Sequence, residues 1–450
     1  MKSIISNEME KLKSRIEEFF ETDNVGLEAA ETYFIELIGK TVRELLTACY
    51  EKKDAELLAE KAERKKVGLV VERRGDARQV VTQLGIVSYR RTYYACRNGG
   101  YCYPIDKVAG LERYQRMSSG VGLSLVNSAR EMSYKRASCV VTGGLVSKQT
   151  VMRKIREAAP AAEPVVRRKV PVLHVDADED HVKLQNGERR IVPLVSVYEG
   201  IERIGSRGVC KNVFHRAEFG KKTEDLWEEV LTEMERRYDL TNTKIYLHGD
   251  GAPWIKQGLE WFPNSIFVLD RYHVNKALKK AISGIERKSR CQYERHLRQA
   301  LHNGNRDYFC SIRDRLLIRY PDRQETILDA TNYLLDHFEA IHCYTIDPEA
   351  RNGGATEPHV SHVLSSRLSS RPMGWSEKTL EKFVPILAAG QCTFQMKPTV
   401  KLSGIQKSYN VLQKKPTHTL GLPHPDKVAS LPGKPGKVTP LYTLLKNFCR

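Results

Sequence analysis

The chain has 450 residues, of which 41% are hydrophobic, and this length and composition exclude a wholly disordered protein and favour two or three domains. The 73 lysines and arginines exceed the 55 acidic residues by 18, an excess that can neutralise phosphates. Nucleic acid is therefore the first partner to consider, and a basic enzyme without such a partner is the alternative.

Cysteine usage and hydropathy indicate the compartment. The ten cysteines contain no Cys-x-x-Cys pair, and Cys96 and Cys102 lack a second pair with metal-ligand spacing. We therefore expect reduced thiols and no structural zinc. The first twenty residues lack a signal-peptide core, and no run of 18 apolar residues occurs, so we expect a cytoplasmic protein without a membrane partner.

The N-terminal part divides into a helical region and a small β region. Apolar residues recur at helical spacing over residues 1–64. Short β-type runs punctuated by glycine predict a β-meander over 65–110. Four residues of this region are candidates for DNA contact by charge and stacking: Arg90, Arg91, Tyr93 and Tyr94. They could equally belong to a half-buried sheet, and both interpretations stay open.

Residues 111–165 have the pattern of a helix-turn-helix. One helix is expected to end at Gly143-Gly144, and Ser147 to cap a second helix. Val151 and Ile155 supply the apolar face of that second helix. Its outward residues would contact DNA in the major groove, unless the element is an ordinary helical hairpin: Lys148, Gln149, Arg153 and Lys154.

Residues 166–273 alternate between strand and helix patterns. VPVLHVDADEDHVKLQ and RRIVPLVSVYEG flank an Asn186-Gly187 turn, and KNVFHRAEF reads as a third strand. A helix capped by Thr223, the strand KIYLHGDG, a further helix and the strand SIFVLDRYH follow. Three antiparallel strands, helix, strand, helix and strand form the succession of the ribonuclease-H-like fold, although many α/β chains share such alternation.

The remaining chain is predicted as helices followed by a tail. Residues 274–350 show helical patterning with breaks at Asn303-Gly304-Asn305 and Tyr320-Pro321, and read as a helical insertion. Residues 351–392 continue the core. Residues 393–450 carry ten lysines and arginines but one acid, which indicates a basic tail on nucleic acid or on the core, or else a disordered, solubilising tail.

The expected fold is therefore an α/β catalytic core, ribonuclease-H-like with a helical insertion, behind a helical, small-β and helix-turn-helix DNA-binding region. Such a core needs carboxylates from separate elements, because these hold the divalent metals that assist phosphodiester cleavage. Asp176 and Asp178 alternate with apolar residues on one face of a strand. Such acids on one face of an apolar strand repel each other unless a cation or a basic partner is present, which favours a metal site.

Two further acids follow predicted elements. Asp250 lies between two glycines directly after a strand, and an ordinary Asp-Gly turn is the alternative. Glu357 begins a helix, where an acid is also a common partner of the helix dipole. Neither position alone is strong evidence for a catalytic acid. The order of Asp178, Asp250 and Glu357 along these predicted elements strengthens the interpretation of both.

The segments ADEDHVKLQ, LHGDGAPWI, LDRYHV and TEPHVSHVLSSRLSSRPMGWS resemble those of bacterial insertion-sequence transposases of the Lre-type group, long filed as a family of uncharacterised proteins and related to Mutator-like transposases. The similarity extends over most of the chain. It implies an Asp, Asp, Glu triad at Asp178, Asp250 and Glu357 that is catalytic and binds two Mg²⁺ or Mn²⁺ ions. The family pattern D-x-x-x-V-K selects Asp178, and Asp176 is the second choice for the first acid.

Three further residues are candidate DNA contacts, one from the same resemblance and two from their spacing. Asp270-Arg271-Tyr272-His273 is similar to a motif that follows the second acid in such elements, so His273 would position a phosphate or a flipped base; an Asp-His helix cap is the alternative. Arg367 and Arg371 are four residues apart and would share a helical face that meets successive phosphates, or that is merely solvated.

The resemblance implies a transposase that binds terminal inverted repeats of double-stranded DNA, hydrolyses a strand and joins the free 3′-hydroxyl to target DNA. We expect a homodimer or higher oligomer on DNA, in the bacterial cytoplasm and associated with the nucleoid. Two alternatives are a ribonuclease-H-like nuclease without strand transfer, and a catalytically silent DNA-binding protein derived from a transposase.

Overall fold

A computed structural model of the chain describes residues 2–22, 26–97, 99–161 and 164–394. These residues form two compact units, one that extends to Lys154 and one that comprises Ile155–Thr393. The basic tail predicted for 393–450 lies outside the described residues apart from its first two positions. No helix among the described residues has the length and apolar character needed to cross a membrane.

The first unit combines helices with one small sheet. Its elements in chain order, the last of which continues past Lys154, are α1 (Lys2–Phe20), α2 (Leu27–Ala59), α3 (Lys61–Lys66), β1 (Leu69–Thr82), β2 (Gly85–Cys96), β3 (Tyr101–Cys102), α4 (Pro104–Val108), α5 (Ser119–Glu131), α6 (Tyr134–Thr142) and α7 (Lys148–Glu157). Aromatic side chains join the first two helices, since the rings of Phe19 and Tyr33 stack with centroids 4.6 Å apart.

The small sheet is an antiparallel meander in the order β1-β2-β3. Gly75 lies inside β1, at a position where the pairing with β2 shifts register. Arg91 is buried in an ion pair with Asp106, and Tyr94 is fully buried. For these two residues the half-buried sheet is the correct reading, because buried side chains offer no surface to DNA.

The elements of the predicted helix-turn-helix form with the expected local chemistry. Gly143 ends α6 in the left-handed region with φ 61°, which glycine adopts without a Cβ clash. The Ser147 hydroxyl accepts the Thr150 amide at 3.2 Å and so caps α7. Val151 and Ile155 are buried, which confirms the apolar face of the helix. Whether α7 contacts DNA stays a prediction.

The second unit contains a five-stranded sheet and many helices. Three 3₁₀ turns (Gly258–Glu260, Pro321–Arg323 and Pro348–Asn352) and a π-helical turn (Ser361–Ser365) interrupt its elements. In chain order these are β4 (Ala158–Pro160), β5 (Arg168–Lys169), β6 (Val172–Lys183), β7 (Arg189–Tyr198), β8 (Ile201–Ile204), β9 (Arg207–Cys210), β10 (Phe214–Ala217), α8 (Thr223–Arg237), β11 (Tyr238–Asp239), β12 (Lys244–Gly249), α9 (Pro253–Gln257), β13 (Ser265–Leu269), α10 (Arg271–Ala281), α11 (Arg287–His302), α12 (Arg306–Arg319), α13 (Gln324–Asp336), α14 (Phe338–Ile346), α15 (Thr356–Val360), α16 (Ser366–Leu368), α17 (Glu377–Ala389) and β14 (Cys392–Phe394).

The five-stranded sheet has the order β10-β7-β6-β12-β13. The first three strands are antiparallel, and β12 pairs in parallel with both β6 and β13. The connection at Asn186-Gly187 joins β6 to β7 as expected. The exposed hairpin of β8 and β9 was not predicted, because its four-residue strands carry no apolar alternation that distinguishes them from a loop.

One face of this sheet packs against α8 in the main hydrophobic core. Alternate residues of β6, among them Val175 and Ala177, point into it and meet Trp227 and Val230 of the helix. Thr223 begins α8 but does not cap it, since its hydroxyl lies 3.3 Å from Gln257 Oε1. Because side chains alternate along a strand, Asp176 and Asp178 point to the opposite face.

Helices α10 to α14 form a second core of their own. Leu278, Phe309, Leu334 and Phe338 are among its buried residues. The expected breaks near Asn303-Gly304-Asn305 and Tyr320-Pro321 are confirmed, because α11 ends at His302 and α12 at Arg319. Helical periodicity is a local signal, which explains why this segment is readable from sequence alone.

We predict that Gly249→Ala destabilises the second unit by about 1–3 kcal/mol, because overpacking a tight site has such an effect. A Cβ at Gly249 would lie 2.8 Å from Ile255 Cγ2 and 2.9 Å from the Ala177 carbonyl oxygen. Urea unfolding followed by tryptophan fluorescence measures the change, since all four tryptophans lie in the second unit. Lys279→Ala on the exposed face of α10 is the control, with an expected change within about 0.5 kcal/mol. Equal stability of the two variants would contradict the close packing at Gly249.

Candidate active site

The two predicted aspartates lie at the same level of neighbouring strands. The parallel pairing of β6 with β12 places Asp176 opposite His248. Asp178 and Asp250 each follow two residues later, so they stand side by side where β12 ends. Both are half-buried. The Glu179 amide donates to Asp178 Oδ1 at 2.8 Å, and the Ala252 amide donates to Asp250 Oδ1 at 2.8 Å.

Helix α13 supports the loop that carries Asp250. The Tyr333 hydroxyl donates to the Asp250 carbonyl oxygen at 2.6 Å. Gly251 has φ +89°, and the His337 ring lies where a side chain at Gly251 would stand. Only glycine combines this backbone conformation with such a close neighbour, so the loop sequence and the helix fit one another.

The third predicted acid, Glu357, lies in the first turn of α15 and is exposed. The chain before it crosses the face of β6 and β7 that carries Asp176. There the Ala355 amide donates to Asp176 Oδ2 at 2.8 Å, and the Gly354 amide donates to the Tyr198 hydroxyl at 2.9 Å. These hydrogen bonds bring a helix more than 170 residues distant in sequence to the strand of the first acid.

The electrostatic environment of Asp178 includes the other two acids. Burial raises the pKa of Asp178 to about 7, and the charges of Asp250 and Glu357 add to the rise, against the opposing hydrogen bond from the Glu179 amide. The hydrogen bond from the Ala355 amide to Asp176 brings the start of α15 to β6, so all three acids belong to elements that meet at this face of the sheet. An aspartate that holds its proton near neutral pH is a mark of functional sites.

Asp176 has a different environment. It is 1% exposed, and the Tyr198 hydroxyl lies 3.0 Å from each of its oxygens. His359 Nδ1 lies 3.4 Å from Oδ2. Burial would raise the pKa of Asp176, but His359, His248 and Tyr198 outweigh it and the net shift is downward. This carboxylate is therefore ionised and already satisfied inside the protein.

The oxygens of Asp178, Asp250 and Glu357 match the donors that Mg²⁺ and Mn²⁺ prefer. Burial, with the nearby charges of Asp250 and Glu357, raises the pKa of Asp178, and a divalent cation would favour the ionised carboxylate instead. Among the residues that the structure describes, no three His, Cys, Asp or Glu side chains are grouped so as to hold a metal ion. The site fits such a metal in donor chemistry, while its side chains are not gathered into a ligand shell.

The predicted DNA contacts have mixed outcomes. Lys148, Gln149 and Arg153 are exposed on α7, and Lys154 is half-buried. Asp270 caps α10 by accepting the Tyr272 amide at 2.6 Å, which is the cap anticipated as the alternative for this motif. His273 lies in the first turn of that helix and is half-buried.

The expectation of a shared helical face for Arg367 and Arg371 is wrong. The helix ends at Leu368, so Arg371 lies beyond it. Arg367 is 6% exposed and its guanidinium lies 4.7 Å from the centre of the Trp375 ring. This cation–π contact explains the burial, because the aromatic face compensates the charge. Only Arg371 is exposed.

Sequence reasoning missed the groups that support the acids. Tyr198 and Tyr333 read as strand and helix residues, and no local pattern signals their hydrogen bonds. Trp254 also belongs here, since its indole N–H donates to Glu179 Oε2 at 2.9 Å beside Asp178. Contacts between residues far apart in sequence are visible only in the folded chain.

A cysteine nearby has an arrangement that resembles a nucleophile–base–acid triad. Cys210 Sγ lies 3.5 Å from His359 Nε2, and His359 faces Asp176. Burial and the charge of Asp176 raise the pKa of the Cys210 thiol to about 12. A thiol that stays protonated is a poor nucleophile, so this chain of contacts has a structural role.

The raised pKa of Asp178 predicts a pH dependence of stability. An unfolded aspartate titrates near about 3.9. Between about pH 4 and 7 the folded protein holds a proton that the unfolded chain has lost, so stability falls as pH rises, by up to about 1.4 kcal/mol per pH unit. Asp178→Asn should remove this fall. Urea unfolding in EDTA between pH 4 and 8 measures it, and the exposed Asp329→Asn should behave as wild type. Identical pH profiles for Asp178→Asn and wild type would contradict the raised pKa.

Residues 21–397 match a family described as Uncharacterised protein family (UPF0236). A UPF0236 protein of Caldanaerobacter subterraneus subsp. tengcongensis is 38% identical over 353 residues, which are 77% of this chain and 74% of the relative, and its name joins eleven locus designations. Another from that bacterium is 37% identical over 386 residues, 84% of this chain and 82% of the relative. A UPF0236 protein in the vanSb 3′ region of Streptococcus gallolyticus is 25% identical over 387 residues, 81% of this chain and 82% of the relative. The chain belongs to the UPF0236 family.

Proposed function

We propose that this UPF0236 protein is a DNA transposase, with a ribonuclease-H-like, metal-dependent nucleotidyl transferase in its second unit. The observation that carries the proposal is the parallel pairing of β6 with β12, which brings Asp178 and Asp250 to neighbouring strands, with the segment before Glu357 hydrogen-bonded to Asp176 of β6. The three acids come from a strand, a strand end and a helix start that are far apart in sequence. Carboxylates from separate elements are the ligands that metal-dependent strand cleavage requires.

The topology of the second unit supports the proposed fold. Strands β6, β7 and β10 are antiparallel, and α8, β12, α9 and β13 follow in that order with β12 and β13 parallel to β6. This is the succession expected of a ribonuclease-H-like core. In such sheets a site at the carboxyl ends of the parallel strands is the usual arrangement, and Asp250 stands at one of these ends.

In the proposed mechanism Asp178, Asp250 and Glu357 would hold two Mg²⁺ or Mn²⁺ ions. Such ions would supply activation of the attacking oxygen, a water or a 3′-hydroxyl, and stabilisation of the leaving oxygen of the strand. Because its pKa is raised, Asp178 would have to lose its proton before its carboxylate could hold a cation. The hydrogen bond from the Glu179 amide orients this carboxylate, and the bond from Ala252 orients that of Asp250.

The relatives support a mobile element. The name of one relative joins eleven locus designations and that of another joins four. Repeated loci in one bacterium are the pattern that an element leaves when it inserts copies of itself. The net charge of +18 suits a protein that holds terminal inverted repeats and target DNA together, as a homodimer or higher oligomer associated with the nucleoid.

We predict that Asp250→Asn lowers strand cleavage by several orders of magnitude while DNA binding survives. The amide keeps the size of the side chain and can still accept the Ala252 amide, but it lacks the charge that attracts a divalent metal. The assay is a labelled terminal-repeat duplex with a target plasmid and Mg²⁺, scored for nicked and joined products. Asp329→Asn, in an exposed pair with Lys280, is the matched control and should react as wild type.

Each outcome of this assay distinguishes the candidate functions. Joined products from wild type support the transposase, whereas nicks alone would favour a nuclease. Neither product would favour a catalytically silent DNA-binding protein. Cleavage and joining by Asp250→Asn at the wild-type rate would rule out the triad.

We further predict that the double variant of Lys148→Ala and Gln149→Ala loses about 30-fold or more in discrimination between terminal-repeat and scrambled DNA. Both side chains are exposed at the start of α7, and each base contact contributes about 1–3 kcal/mol. Gel shifts at two salt concentrations separate this loss from general phosphate binding. Lys279→Ala with Lys382→Ala, exposed on other helices, should leave discrimination unchanged. Full discrimination by the Lys148 and Gln149 variant would show that α7 does not read bases.

A further inference from the structure

The chain before Glu357 is held by two groups that lie on adjacent strands. Tyr198 of β7 stands opposite His174 of β6, two residues before Asp176. The Tyr198 hydroxyl donates its one proton to the Asp176 carboxylate at 3.0 Å and accepts the Gly354 amide at 2.9 Å. Asp176 in turn accepts the Ala355 amide at 2.8 Å. The two side chains therefore form one hydrogen-bonded pair with two consecutive amides of the segment.

The segment also fits the surface below it by shape. His174 Nδ1 lies 3.1 Å from His248 Nε2, and the backbone of Gly353 lies on these two rings. A methyl group at Gly353 would overlap with both rings. Burial lowers the pKa of His174 to about 3, so the pair is neutral and tolerates this dry contact. Backbone contacts thus hold residues 353–355 in one position on the sheet.

The environment of Asp176 separates it from the other acids. Its oxygens are occupied by the Tyr198 hydroxyl and the Ala355 amide, with His359 Nδ1 3.4 Å away, and the residue is 1% exposed. A metal ligand in a strand-cleaving site must face the substrate, and a carboxylate saturated by internal donors does not. Glu357 follows the seated segment by two residues and starts the exposed side of α15.

We propose that Asp176 and Tyr198 are positioning residues that seat the Gly353–Ala355 segment and thereby set the place of Glu357 beside Asp178. The seating itself is independent of the reaction, while its consequence for catalysis rests on the function proposed above. Asp176 is then no substitute for Asp178 as the first acid of the triad. It acts on the site only through the chain that carries the third acid.

The first test measures the seating without metal or DNA. Hydrogen exchange by mass spectrometry of metal-free full-length protein follows peptides that cover residues 350–360. Asp176→Asn should speed their exchange about 10- to 100-fold, since hydrogen bonds to a charged group are the stronger kind, and Tyr198→Phe about 2- to 10-fold. Tyr238→Phe, which alters a buried tyrosine in the core on the α8 side of the sheet, is the matched control and should leave this peptide unchanged.

The second test measures the effect on the reaction as a function of Mg²⁺ concentration. A misplaced Glu357 weakens metal binding more than it blocks the chemistry. Asp176→Asn and Tyr198→Phe should therefore raise the half-saturating Mg²⁺ concentration about 10-fold or more. High Mg²⁺ should restore much of the rate. Asp178→Asn should lose the rate at every Mg²⁺ concentration. The double variant of Asp176 and Tyr198 should lose less than the product of the single losses, because both act through one segment.

The outcomes separate this inference from the proposed function. Unchanged exchange in 350–360 for both Asp176→Asn and Tyr198→Phe would overturn the positioning pair, as would faster exchange with a wild-type response to Mg²⁺. Loss of rate in Asp176→Asn that high Mg²⁺ does not restore, with a normal Tyr198→Phe, would make Asp176 a ligand instead. If wild type shows no cleavage while exchange changes as expected, the seating stands and the proposed function fails. Should Asp176→Asn fail to fold, Tyr198→Phe tests the pair alone, since it keeps the shape of the ring.

Discussion

The burial of a carboxylate beside other acids is the constraint on which the second unit depends. Asp178 is half-buried, and this burial, to which the charges of Asp250 and Glu357 add, raises its pKa to about 7. No favourable contact among the acids themselves brings them together, so the surrounding fold must do so. Parallel pairing of β6 with β12 fixes the two aspartates, and the buried polar face of the sheet fixes the approach of α15.

The two faces of the sheet have different roles: one packs in the hydrophobic core, and the other carries the acids. On one face, aliphatic residues of β6 pack against Trp227 and α8, and the burial of this apolar area stabilises the sheet. On the other face, the same strand presents His174, Asp176 and Asp178, where polar groups are satisfied by backbone amides and by tyrosine. The period of two along a strand allows one segment to serve both stability and chemistry.

Local patterns made much of this fold predictable, and long-range contacts set the limit. The helices of 271–346 and the turn at Asn186-Gly187 follow from periodicity and turn chemistry, which short windows contain. The sequence pattern places Asp178 within a strand, Asp250 directly after a strand and Glu357 at a helix start, which are the positions that they have in the structure. The hydrogen bond between Asp176 and Ala355 joins residues 179 positions apart, so a pattern read from a short stretch of sequence cannot reveal it. The burial of Arg367 depends likewise on Trp375, on a segment that follows the end of the helix.

The π-helical turn Ser361–Ser365 lies between Glu357 and Arg367. Such a turn contains one residue more than an α-helical turn, and one residue corresponds to a rotation of about 100°. Everything after the turn is therefore rotated relative to a regular helix that starts at Thr356. The segment between Glu357 and Trp375 should therefore tolerate neither an insertion nor a deletion of a residue. A deletion of one residue here would keep the composition and the acid, yet it would direct the guanidinium of Arg367 away from the aromatic ring that covers it.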